Sequence, residues 1–98
     1  MKGTEKQIKY AEELREQFVT PLVECIDTQR RMVNQYRMRL ERDPARYAAK
    51  ITEREAYIER LTANLGALND ALDSIDSASE MIDAIKYGRP SLYELRSF

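Results

Sequence analysis

Four carboxylates, Asp73, Asp76, Glu80 and Asp83, stand three, four and three residues apart. That spacing puts them on one face of a helix, provided the helix runs through Ser77. Such a row can lie in solvent as the polar side of an amphipathic helix. It can also imitate nucleic-acid phosphates and occupy a basic groove on a host enzyme, or meet a basic surface on another copy of the chain. Metal binding ranks last, because hard cations need converging oxygens and no Asp-rich loop with its turn glycine is present.

The opposite charge gathers elsewhere. Residues 30–60 hold nine Arg and Lys against five Asp and Glu, a net +4, while residues 61–87 carry a net −4. Within the basic stretch Arg30, Arg31, Arg37, Arg39, Arg42 and Arg46 form the candidate contact group, since guanidinium binds carboxylate and phosphate in bidentate fashion. Tyr36 and Tyr47 offer stacking surfaces for single-stranded bases. Against these readings stands a solvated face with local pairs such as Arg37 with Glu41 and Lys50 with Glu53.

Catalytic chemistry has little to work with. The chain contains no His, so the usual general base near neutral pH and the commonest metal ligand are both missing. The single Cys25 lies on an apolar side with no base to activate it and reads as a packed thiol. There is no Gly-rich phosphate loop and no nucleophile paired with a base. The expectation is a protein that is not an enzyme and uses no cofactor.

The elements that must position these charges read as helix throughout. Thr4 and Gln7 form a capping box, after which Ile8, Ala11, Leu14 and Phe18 recur at helical spacing. Thr20-Pro21 interrupts, predicting either a second helix capped by Thr20 or one long helix with a kink. Asp43 as N-cap and Pro44 at the first helical position predict a sharp reversal into a helical hairpin. A heptad seam follows, with Ile51, Ile58, Leu65 and Leu72 in one row and Tyr47, Leu61, Leu68 and Ile75 in the other, broken at Arg54. Ser77 with Glu80 makes another capping box, and Gly88 then Pro90 a stop.

These signals predict one all-α domain over residues 1–98, with helices at about 5–19, 21–42, 44–75 and 78–87 and a tail over 88–98. The architecture expected is an antiparallel hairpin or bundle of three to four helices with a coiled-coil-like seam. A helix over 44–75 is about 48 Å long and one over 21–42 about 33 Å, so the far end of the longer helix needs cover. The first helix, the segment 78–87, or a second copy docked through the seam residues Ile51, Ile58, Leu61, Leu65, Leu68, Leu72 and Ile75 would supply it. A homodimer is therefore expected.

With 34% charged residues and a net charge of −1, the chain as a whole has no strong pull toward nucleic acid or membrane. No apolar run reaches the roughly 20 residues of a membrane span. The start lacks a signal-peptide core, so a cytoplasmic protein is expected.

The opening residues Gly3, Thr4, Glu5, Lys6, Gln7, Ile8, Tyr10, Ala11, Glu12, Leu14 and Arg15 resemble a G-[ST]-E-K-Q-I-x-[WY]-A-E-x-[IL]-R pattern. It belongs to small, largely uncharacterised proteins of bacterial phages, plasmids and integrative elements. The later SASEMIDAI, residues 77–85, is similar to a second element of those proteins, with Glu80-Met81 standing where an aromatic pair precedes Ile-Asp. The resemblance implies a mobile element in a bacterial host. In that setting small helical proteins often act by occupying a surface of a larger machine, inhibitors of CRISPR effectors among them. The expected function is a helical interaction factor that binds a host or viral protein, a nucleoprotein complex among the candidates. Direct nucleic-acid binding through the arginine tip and a structural helical oligomer are the alternatives.

Overall fold

The computed structural model describes residues 1–98 and is all-α, with four helices in the order α1 (Glu5–Leu40), α2 (Pro44–Asp73), α3 (Ala78–Lys86) and α4 (Pro90–Arg96). The long pair α1 and α2 forms the antiparallel hairpin. Over the half of it that holds the start of α1 and the end of α2, α3 packs on α1 and α4 packs on α2. We call that half the base and the remaining two-helix half the shaft. The molecule is 58 × 21 × 17 Å. Its radius of gyration is 17.6 Å, against about 13 Å for a compact chain of this size.

The break expected at Thr20-Pro21 is absent, and α1 runs through Pro21 for 36 residues. The apolar stripe explains why. Ala11, Phe18, Leu22, Ile26 and Val33 are all buried, so the inward face continues across the proline without a change of phase. Gln17, whose carbonyl loses its helical donor at Pro21, is exposed, and water can replace that donor. The cost of an interior proline is thereby lowered.

At the other end the capping box is formed as expected: Thr4 Oγ1 accepts from Gln7 N at 3.2 Å and Gln7 Oε1 accepts from Thr4 N at 3.1 Å. Just before it, Lys2 forms a short parallel bridge with the loop that follows α2. Lys2 N donates to the Asp76 carbonyl and Ala78 N donates to the Lys2 carbonyl, both at 2.7 Å. Gly3 makes this possible. Its φ is +143°, and a Cβ there would lie 3.0 Å from Ala78 Cβ and 3.2 Å from Gln7 Oε1.

The turn at 41–43 follows its sequence signals, with Asp43 Oδ1 accepting from Arg46 N at 3.2 Å and Pro44 opening α2. α2 ends at Asp73, short of the expected 75, and Ser74 caps it. Ser77 then caps α3 by accepting from Glu80 N. Gly88, at φ +74°, closes α3 in a left-handed turn that lets Arg89 N reach the Ala84 carbonyl at 2.9 Å.

Residues 88–98 do not form a free tail. Leu92 is buried, Tyr93 meets the Phe18 ring edge-on at 5.0 Å, and its hydroxyl donates to the Ile85 carbonyl at 2.9 Å.

The seam is taken up inside the chain. Leu61, Leu68 and Leu72 are fully buried and Ile75 nearly so, packed with Phe18, Leu22 and Met81, among others, in the base. In the seam's other row Ile51, Ile58 and Leu65 are only half-buried, Leu65 even within the base, while on the shaft Val33 and Tyr47 are buried but lie apart from that core. The base therefore dominates stability. Leu68→Ala is expected to cost about 2–5 kcal/mol. Ile51→Ala, on the shaft, should cost about 1 kcal/mol, in proportion to the smaller area it removes from water. Urea unfolding of the two variants checks this ordering.

Candidate functional site

The four carboxylates of the expected acidic face are separated by the structure. Because α2 stops at Asp73 and α3 starts at Ala78, no continuous helix carries them all. Three also have cations within their own chain: Asp73 with Arg15 at 2.7 Å, Asp76 with Lys2 at 3.4 Å and Glu80 with Arg89 at 3.4 Å. Asp83 has none within ion-pair distance. The loop that breaks the row, between the Ser74 cap of α2 and the Ser77 cap of α3, is also the one pinned by Lys2.

The basic group has the opposite character. In the shaft only Arg37 is ion-paired, with Glu55 across the hairpin. Arg54, the residue that breaks the heptad row, is half-buried and donates to Gln29 Oε1 at 3.0 Å. Arg30, Arg31, Arg39, Arg42, Arg46, Lys50 and Arg60 have no carboxylate within 4.0 Å.

These cations do not form one patch. Arg37 lies beside α2 on one flank of the hairpin, while Arg31 is on α1's outer side and Arg42 lies in the turn between the helices. Arg46, Lys50 and Arg60 occupy the other flank, interrupted there by Glu53. On that flank tyrosines back the charges. Lys50 Nζ lies 5.8 Å from the Tyr36 ring centre and 5.7 Å from that of Tyr47, Arg46 lies 5.5 Å from Tyr47, and Arg60 lies 4.9 Å from Tyr57. Such contacts hold a cation over the face of the ring and limit its freedom. Tyr36 and Tyr47 also pack on each other at 5.7 Å, and Tyr47 is buried. Their faces are thus already occupied and do not offer the open stacking platform expected from the sequence.

Arg15 was not among the expected site residues. It bridges α1 to α2 by pairing with Asp73 and reaching Asn69, 28% exposed at the side chain. Its spacing from Ala11 and Leu22 places it beside the buried stripe, and that signal is legible in the sequence. Gln29 is similar: it stands on the α1 stripe between Ile26 and Val33, facing Arg54 on the α2 seam.

Cys25 is half-buried against the core. The surface depressions are shallow and open, and no three His, Cys, Asp or Glu side chains converge as a metal site would need. No helix is long and apolar enough to cross a membrane. Comparison of the chain with family models, curated proteins and solved structures gives no match.

The Arg54–Gln29 pair sets the phase of the two shaft helices. Arg54→Ala alone is expected to destabilise by about 1–2 kcal/mol, by leaving the Gln29 amide without its partner. Replacing both residues with Leu should be neutral or stabilising by about 1 kcal/mol. Chemical denaturation of the single and double variants reads the difference.

Proposed function

We propose that the protein is a non-enzymatic helical interaction factor of a phage or related mobile element. Its two-helix shaft docks on an acidic surface of a host or viral protein. The setting supplied by the GTEKQIKYAEELR resemblance favours a target that handles nucleic acid, such as a CRISPR-type defence complex, which the docked shaft would inhibit.

One observation carries this reading: seven cations of the shaft are left without a carboxylate partner. An acidic partner would supply the neutralisation that the chain itself withholds. The flank with Arg46, Lys50 and Arg60 suits this best, because tyrosine rings already hold the three cations in place and little side-chain freedom is lost on docking. The occupied faces of Tyr36 and Tyr47 favour a protein surface over unstacked bases.

The test is affinity capture from a bacterial host lysate with and without nuclease, using the wild-type chain and an R46E/K50E/R60E variant whose helicity is checked by circular dichroism. The expected result is a stoichiometric protein partner that survives nuclease and is retained roughly tenfold or more weakly by the variant. Partners lost on nuclease treatment would point instead to direct nucleic-acid binding. Unchanged retention by the variant would remove the flank as the site.

A further inference from the structure

On the side of α1 turned away from α2, a second stripe runs the length of the helix. Glu13, Glu24, Asp27, Arg31 and Met38 recur along it at helical spacing, Arg42 follows in the turn just past its end, and all are exposed. Their charges change sign once. Residues 12–27 carry five carboxylates against Arg15, which turns inward to Asp73. Residues 30–42 carry five arginines against Glu41. Such a face is complementary to itself when turned end for end, and repels itself when two copies lie parallel.

We infer that two copies of the chain pair antiparallel along this outer face of α1. A two-fold axis between Asp27 and Thr28 brings Glu13 opposite Arg42 of the second copy and Glu24 opposite Arg31 of the second copy, each pair occurring twice. None of these four residues has an ion-pair partner within its own chain. The overlap that is helical in both copies, residues 15–40, is about 38 Å long at 1.5 Å per residue.

The same arrangement gives Met38 a place. Met38 is 80% exposed, the most exposed apolar residue of α1. On the acidic half of the stripe, Glu13, Glu16, Gln17, Thr20 and Pro21 line a shallow depression. The two-fold puts Met38 of the second copy opposite Gln17. Helical side chains lean toward their own N-terminus, which tilts Met38 of the second copy toward Thr20 and Pro21. Proline presents a flat apolar ring there. The α2 seam cannot serve instead, since Leu61, Leu68 and Leu72 are buried within one chain. Pairing through α1 takes up Arg31 and Arg42, two of the seven unpaired cations, and leaves the Arg46–Lys50–Arg60 flank proposed for docking outside the contact.

Exposed ion pairs are individually weak and screened by salt, so the pairing is expected to be weak and salt-sensitive. Sedimentation equilibrium of the full chain tests it. At low salt the apparent mass should rise with concentration from 11.5 kDa toward twice that value and fall back on adding salt. The variants E13R/E24R and R31E/R42E should each self-associate roughly tenfold or more weakly. Mixed in equal amounts, they should recover association, because the mixed pair again places opposite charges together throughout. M38S, at a site exposed in the single chain, should weaken pairing without changing any charge.

A wild-type mass that stays at one chain across the low-salt series would overturn the inference. So would charge variants that associate like wild type, a mixture that stays monomeric, or growth beyond two copies.

Discussion

Two antiparallel helices can bury only the stripe that each turns toward the other, and everything else in this structure depends on how the remaining exposure is handled. α1 and α2 are 36 and 30 residues long, while the two helices that could add a third layer have 9 and 7. They cover the base and leave the shaft as a bare pair. The 13-residue core that holds Leu61, Leu68 and Leu72 accordingly lies in the base, while the shaft buries only Val33 and Tyr47 apart from it and leaves Ile51 partly in water. Area removed from water sets the size of each contribution, so folding is anchored in the base. The shaft is held by a thinner contact, with the Arg54–Gln29 hydrogen bond fixing its phase.

Charge follows the same division. At the base, Asp73, Asp76 and Glu80 meet cations supplied by neighbouring elements, through Arg15, Lys2 and Arg89. On the shaft no third element is near enough to provide carboxylates, and most arginines face solvent. A projecting, weakly covered, positively charged rod is what the proposed interaction function would use. The tyrosines on its Arg46 flank hold cations outward and do not open a cavity, which suits recognition of a surface better than binding of a small ligand.

Much of this was legible in the sequence. The capping box at Thr4, the reversal at Asp43-Pro44, the caps at Ser77 and Gly88 and the heptad seam each depend on local spacing, and each formed where its residues stand. Pro21 was harder, because the cost of a proline depends on which way the freed carbonyl faces. The readable clue was the stripe Phe18, Leu22, Ile26, which keeps its phase across the proline. The acidic row failed as a single face because Ser77 caps a new helix, a break its own spacing signals, and the non-local part is the Lys2 clip on the loop at Asp76. No spacing rule contains that contact. The sorting of the arginines onto separate faces follows from helical geometry, but Arg37's partner proved to be Glu55 on the facing helix in place of Glu41 on its own. Docking of Leu92 and Tyr93 likewise depended on where α4 lands.

Hydrogen exchange along the full chain tests the division into base and shaft most directly. If the base anchors the fold, amides in residues 14–26 and 61–72 exchange slowest, through global unfolding, while those in 32–40 and 47–55 exchange faster through local opening of the two-helix pair. Equal protection along both long helices, or slowest exchange in the shaft, would contradict a fold held from its base.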